Sequence, residues 1–310
     1  MYAGRPSAAS PRPSRSAATG AVLPVPAGRV TAGEGRGASR PGARLASEPV
    51  TDLAAKATTL LDLHRAPELL VLANAWDVVS AQVVAATEGT RAIATPSHGI
   101  AATFGYADGE QIPLDLHLDM VARIASAVDL PLTMDMEAGY GDAGETTRRA
   151  IAAGAVGGNL EDQMRPLEES VAAVEASLRA ARDAGVPDFV LNARTDAFTR
   201  APEGQSAEDT LAEAVRRSKA YLEVGAPVVF IPRLAQREHV EAVVGELGRG
   251  VVTLISIPGV SLPARELEAL GVARLSTGPF TQRVALTALQ DATAELLAGG
   301  VLPPGTRALN

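Results

Sequence analysis

The sequence predicts an α/β fold, a (β/α)8 barrel of the TIM type behind a disordered N-terminal extension. Three observations carry this. From about residue 51 onward, short apolar runs alternate eight times with segments of helical period. The runs are rich in β-branched residues and nearly continuous in apolar character, the pattern of parallel strands buried on both faces. The repeat occupies residues 51–310, close to the roughly 250 residues that a barrel of eight strand–helix units uses. An open doubly wound sheet shares the alternation, but no Gly-x-Gly-x-x-Gly follows the first run, which weakens its dinucleotide-binding form.

Residues 1–50 read differently. They hold seven Arg, two Glu and no Lys, are rich in Pro, Gly, Ser and Ala, and show no period. Such a segment buries too little apolar surface to offset the entropy of ordering it, so disorder is expected. The stretch AVLPVP is too short and too broken by proline for a secretory signal. An Arg- and Ser-rich, acid-poor start is compatible with an organelle transit peptide; composition favours a tail or a start codon placed too early.

The elements then follow in order. The first run, ELLVLANAWD (68–77), ends in Asn74, Trp76 and Asp77, and Asp77 stands where it would cap the helix VVSAQVVAATE. The second, RAIATPSHG (91–99), ends in Ser97, His98 and Gly99. The third, LPLTMDME (130–137), carries Asp135 and Glu137 and breaks into Gly-Tyr-Gly. The helix after it, in GDAGETTRRAIAAG, opens on an Asp cap candidate with acidic first-turn residues. The fourth, GAVGGNLED (154–162), ends in Asn159, Glu161 and Asp162; the fifth, DFVLNART (188–195), in Asn192 and Arg194, with Asp196 next. The helices after these two, EESVAAVEASLRAARDAG and SAEDTLAEAVRRSKAYLEVG, each stop at Gly. APVVFIPR (226–233), VVTLISI (251–257) and VARLSTG (272–278) complete the set.

Composition narrows the function. Hydrophobic residues make up 46 % of the chain and aromatics 3 %, so a large core of Ala, Val, Leu and Ile is expected. The formal net charge of −8 argues against a nucleic-acid or acidic-membrane surface. With no Cys there is no disulfide, thiolate metal site or Cys nucleophile, which agrees with a reducing, cytoplasmic setting. No apolar run approaches the roughly 20 residues of a membrane span.

Chemistry in a barrel gathers at the C-terminal strand ends, and the polar residues gather there. Alternation along a strand puts Asp135 and Glu137 on one face, as it does Asn159 with Glu161 and Asn192 with Arg194. If these faces point into the mouth, three carboxylates converge, and burial and repulsion would raise their pKa values. A hard dication removes that conflict, and oxygen ligands suit Mg²⁺ or Mn²⁺. The plainer reading of the acidic pair is helix capping and surface ion pairing around the turn.

DMEAGYGD (135–142), GAVGGNLEDQ (154–163), FVLNARTDAF (189–198) and VARLSTGP (272–279), in that order, resemble the isocitrate lyase and phosphoenolpyruvate mutase superfamily over roughly residues 55–295. The resemblance implies a (β/α)8 barrel, a homodimer or homotetramer that exchanges its last helix, Mg²⁺, and small 2-oxo or 2-hydroxy carboxylate substrates. It implies C–C or P–C bond chemistry through an enolate. It makes Asp135 the main direct metal ligand, Glu137 a ligand through water in place of an Asp, and Glu161 and Asp108 members of the metal shell. Arg194 would grip the substrate carboxylate. Ser97, His98 and Gly99 would form a substrate-binding turn, joined by the inward-facing Asn159 and Asn192.

Two departures stand out. The Lys-(Lys/Arg)-Cys-Gly-His loop of the true lyases is absent, and EDQMRPLEES runs straight into the next helix where mutases carry Glu-Asp-Lys and a longer lid. His98 is the best-placed replacement acid or base, against the reading of a solvated loop histidine. Tyr140 is a candidate donor to an enolate oxygen, against packing over the barrel end. His64, His117 and His239 fall in helical segments and are given no role. The expected function is a Mg²⁺-dependent carbon–carbon lyase acting on a small 2-hydroxy or 2-oxo di- or tricarboxylate. Oxaloacetate decarboxylation or hydrolysis and phosphonopyruvate chemistry are alternatives within the superfamily, and a non-catalytic carboxylate-binding or scaffold barrel is the alternative outside it.

Overall fold

The computed structural model describes residues 50–308. The disorder expected for residues 1–50 lies outside them, Val50 apart. The chain starts with α1 (Val50–Arg65), which buries Leu53, Ala57, Leu60, Leu61 and His64, the spacing of a single helix face. Strand–helix units follow: β1 (Leu70–Leu72), α2 (Val78–Ala85), β2 (Ile93–Ala94), α3 (Ser97–Thr103), α4 (Leu114–Ala127), β3 (Leu132–Asp135) and α5 (Ala143–Ala152). They continue with β4 (Gly157–Glu161), α6 (Leu167–Asp183), β5 (Val190–Arg194), α7 (Ala207–Glu223) and β6 (Val228–Phe230). The last are α8 (Arg237–Leu247), β7 (Val252–Ile255), α9 (Ala264–Leu270), β8 (Arg274–Ser276) and α10 (Phe280–Leu297). Each of the eight apolar runs holds one strand.

All eight strands are parallel and lie in the order β1-β8-β7-β6-β5-β4-β3-β2. A parallel bridge between Asn74 and Ala94, with Ala75 N donating to Ala94 O at 2.8 Å, joins β1 to β2. That closure decides for the barrel over the open sheet. No described helix is long and apolar enough to cross a membrane.

The caps read from the sequence form. Asp77 accepts from Ser80 N at 2.7 Å in a reciprocal capping box, and Asp142 accepts from Glu145 N at 3.0 Å. Register aligns the inward positions into rungs. Asp135, Asn159 and Asn192 share one rung; Glu161, Arg194 and Phe230 form the next rung toward the mouth. Between sheet and helices, Leu132, Met134, Leu160, Leu191 and Ala193 join the main apolar core. Only α10 departs from this layering. Gln282 is its one buried residue, while Val284, Leu286, Leu289 and Leu297 are exposed.

Candidate active site

The C-terminal ends of β2, β3, β4 and β5 bring the polar residues together. Asp135, the last residue of β3, receives Ser97 N at 3.3 Å and the Ser97 hydroxyl at 2.8 Å on the same Oδ2. That hydroxyl also lies 3.3 Å from Asp108 Oδ1, so Ser97 links the loop after α3 to β3. His98 stands over the same loop, Nδ1 3.6 Å from Asp108 Oδ2, with about two-fifths of its side chain exposed (41 %).

Glu137 does not share Asp135's face. β3 ends at Asp135, and Glu137 adopts a left-handed φ of +51°, so strand alternation no longer applies to it. Its carboxylate accepts from Glu110 N and from the Tyr140 hydroxyl at 3.1 Å. Tyr140, at φ +49°, donates its own N–H to Glu110 Oε1 at 2.6 Å. These reciprocal bonds latch the loop before α4 onto the Gly-Tyr-Gly turn. Gly139 is needed there: at φ +95° a Cβ would come within 2.9 Å of Ala143 Cα. Four non-glycine left-handed residues (Glu110, Glu137, Tyr140 and Gln163) thus cluster at the mouth, and such strain concentrates at functional sites.

Burial pushes the Glu137 carboxyl up to about 7, the Asp135 charge adding and the Glu110 N–H opposing. Burial likewise raises Glu161 to about 7, with the Arg194 guanidinium pulling it down and Asp196 and Asp135 pushing it up. Tyr140 is pushed upward by burial and then by Glu137, so it stays protonated. Arg194 Nη1 lies 2.7 Å from Glu161 Oε2, and its Nε and Nη2 meet Asp196 Oδ1 at 2.8 and 2.7 Å. Asp196, fully buried, thus orients Arg194. Phe230 flanks the guanidinium, 5.9 Å from ring centroid to Cζ.

Two expected substrate contacts are placed elsewhere. Gly99 is buried, and a Cβ there would stand 2.8 Å from Pro96 Cγ and 3.2 Å from Trp76 Cβ. Its carbonyl accepts from Gln282 Nε2 at 3.1 Å. Its lack of a side chain serves the close packing of α3 against α10. Asn192 is 1 % exposed, with its Nδ2 on Asn159 Oδ1 and its Oδ1 on Thr253 Oγ1, both at 2.8 Å. It supports Asn159, its neighbour on the same rung.

The four expected metal-shell carboxylates ring the opening without forming a cage. Among the described residues, no group of three or more His, Asp and Glu side chains is close enough to hold one ion. The reason is local: Glu137 is turned to Tyr140 and Glu110, and Glu161 to Arg194. The donor set is all oxygen, which fits a hard dication, and Asp135 is the residue that would hold it.

A family model described as phosphoenolpyruvate phosphomutase matches residues 60–297, from within α1 through all eight strands to the end of α10. The chain belongs to this family. An uncharacterized protein of Mycobacterium tuberculosis is 30 % identical over 246 residues, 78 % of this chain and 90 % of that one. The 2,3-dimethylmalate lyase of Eubacterium barkeri is 31 % identical over 235 residues, 69 % of this chain and 77 % of the enzyme. A solved oxaloacetate acetylhydrolase, bound to its product oxalate, superposes with a TM-score of 0.72 at 25 % identity, covering 83 % of this chain and 92 % of that one. Phosphoenolpyruvate phosphomutase family relatives of this chain are therefore enzymes of small carboxylates.

The connection between β4 and α6 is only residues 162–166, so EDQMRPLEES does run straight into the helix. Sequence reasoning missed three participants. His117, fully buried on α4, has Nδ1 3.1 Å from the Tyr140 hydroxyl, and burial lowers its pKa to about 4. Its place on the apolar stripe with Leu118, Val121 and Ile124 was the available signal. Glu110 and Arg274 carried none, because a loop contact and a barrel-crossing contact leave no local pattern.

Proposed function

We propose that the protein is a Mg²⁺-dependent lyase that breaks a carbon–carbon bond in a small 2-hydroxy or 2-oxo di- or tricarboxylate through an enolate. The observation that carries this is the placement of Arg194. Its guanidinium sits one rung above Asp135 and Asn159, oriented by Asp196 and about one-fifth exposed to the mouth (21 %). A planar cation fixed beside the candidate metal ligand suits an acid with a carboxylate next to an oxygenated carbon.

Mg²⁺, when bound through Asp135, would supply Lewis-acid stabilisation of developing negative charge. The chain's own residues do the rest. Arg194 holds the substrate carboxylate, and Ser97 holds Asp135 in place. The Asp108 contact at Nδ1 orients the His98 ring and leaves Nε2 as the atom that takes the proton of a 2-hydroxyl. The bond between C2 and C3 breaks, C2 becomes the carbonyl of a 2-oxo acid, and its electron pair passes to the departing enolate. The proton returns to that enolate carbon. The Tyr140 hydroxyl, kept protonated by burial, would turn from Glu137 to donate to an enolate oxygen.

Oxaloacetate decarboxylation or hydrolysis uses the same Arg194 and Asp135, and the likeness to oxaloacetate acetylhydrolase keeps it as the second reading. A panel of malate, alkylmalates, methylisocitrate, oxaloacetate and phosphonopyruvate, assayed for release of 2-oxo acid or of acetate and oxalate with and without Mg²⁺, separates these readings. No turnover on any member, with oxalate binding retained, would overturn the lyase reading and leave a carboxylate-binding barrel.

The reading extends to assembly as a homodimer or homotetramer. What supports it is the exposed apolar face of α10 and the cleft of about 380 Å³ beside it, lined by Trp76, Val79, Val83, Val84 and Val284.

A further inference from the structure

Beneath the mouth lies a second guanidinium that the proposed chemistry leaves unused. Arg274, the first residue of β8, is 1 % exposed. Burial lowers its pKa to about 10, so it remains protonated at neutral pH. In the closed strand order β8 stands opposite β4. The Arg274 side chain crosses that span, and Nη2 donates to Asn159 Oδ1 at 3.4 Å. Nε and Nη1 have no partner among the described residues. His64, held neutral by burial and then by the Arg274 charge with its pKa near 3, adds no charge, and Asp135 is the carboxylate whose charge Arg274 feels. A buried cation so poorly paired costs stability, and its neighbours suggest a use.

Asn159 Oδ1 also accepts Asn192 Nδ2, and Asn192 Oδ1 accepts the Thr253 hydroxyl. This chain of two amides and a hydroxyl can run in either direction, because each member both donates and accepts. Reversal would turn both amides over. Arg274 only donates, so it fixes the direction: Oδ1 of Asn159 faces the barrel interior and Nδ2 faces away. That Nδ2 has no acceptor among the described residues and is not sealed from solvent. Asn159 pairs in register with Asp135, at the level of the candidate ligand.

We propose that Arg274 is a positioning residue that locks the Asn159 amide with its nitrogen toward the mouth, where it donates to a carboxylate or enolate oxygen of the bound acid. This rests on the carboxylate-binding reading above. Oxalate, titrated calorimetrically into the Mg²⁺-loaded full-length protein, tests it with Arg274→Met, Asn159→Ala and the double variant. Arg274→Met is expected to weaken oxalate binding about tenfold, ~1.4 kcal/mol, and the double variant to bind no more weakly than Asn159→Ala alone. Arg274→Lys, also only a donor, should restore most of the affinity. Wild-type affinity in Arg274→Met, or a loss that adds in full to that of Asn159→Ala, overturns the proposal. If Arg274→Met does not fold, Arg274→Gln, which can accept as well as donate, carries the same expectation and the same overturning results. A ligand-free readout separates this from the reading beneath it. The Asn159 side-chain amide should give one sharp pair of NMR signals in the wild type and shifted or doubled signals in Arg274→Gln. An unchanged pair sinks the positioning role even if oxalate binds, and a wild type that ignores oxalate sinks the carboxylate reading while the amide signals still decide this one.

Discussion

Arg194 Nη1 and Glu161 Oε2 meet at 2.7 Å across the last rung of β5 and β4, at the rim of the barrel. The pair is made by register alone, since the two residues are 33 positions apart and end neighbouring strands. With Asp196 on its other edge, the guanidinium is held between two carboxylates.

Arg194→Lys should therefore lose more than a charge-conserving change suggests, because an ammonium cannot present a planar fork. The expected loss in kcat/KM, or in oxalate affinity, is about 10- to 100-fold, the range of a charged hydrogen bond. An effect under twofold would remove Arg194 from the substrate site.

Asp135→Asn keeps the shape that Ser97 grips while removing the negative charge. Mg²⁺ binding, followed by calorimetry, should fall beyond detection, and Mg²⁺-dependent turnover with it. Ser97→Ala, which removes only the 2.8 Å bond, should cost about tenfold or less. Unaltered Mg²⁺ binding in Asp135→Asn would refute the assignment of the direct ligand.

Glu137 predicts a pH effect on stability. Its folded-state pKa near 7 stands above the ordinary 4.5, so the fold keeps a proton that the unfolded chain releases. Stability from this group is present below about 4.5 and is lost as pH rises to about 7. Glu137→Gln, measured in EDTA, should gain ~1–3 kcal/mol relative to wild type between pH 5 and pH 8. Taking that difference cancels the opposite contribution of buried, neutral His64 and His117, whose stability is lost as pH falls below 6.5. A pH-independent difference would show that Glu137 is not desolvated.

Asp162 is structural. It accepts the Tyr221 hydroxyl at 2.7 Å, Arg217 Nη1 at 3.1 Å, and the backbone N–H groups of Met164 at 2.9 Å and Asp196 at 3.0 Å. Asp162→Ala leaves Arg217 with Glu213 as its remaining carboxylate, strands the buried Tyr221 hydroxyl and should cost ~2–4 kcal/mol in urea unfolding. A loss below ~1 kcal/mol would contradict this.

For the assembly, Leu289→Glu with Val284→Glu puts charges on the exposed face of α10. Light scattering should show a shift to a smaller species while the circular dichroism of the barrel persists. An unchanged mass would move the interface elsewhere.

Much of this was legible in the chain. Eight buried strands announce themselves because each is a short apolar run closed by a polar end, and Asp77 and Asp142 announce helix starts because capping is a contact within three residues. Period-two alternation misled at Glu137, because it holds only while the strand lasts, and β3 stops two residues earlier. It misled in a different way at Asn192, which faces inward as expected but has both ends of its amide bonded within the barrel, to Asn159 and Thr253.

The sequence by itself determined the eightfold alternation, the polar strand ends and the family to which those motifs belong, all of which rest on local pattern. Tertiary structure alone decided that the sheet closes at Asn74 and Ala94, that Glu110 latches Glu137 and Tyr140, and that Arg274 reaches across to Asn159. Those contacts join residues between 20 and 115 positions apart. They depend on register, barrel diameter and side-chain length, quantities that take definite values only when all the strands are in place.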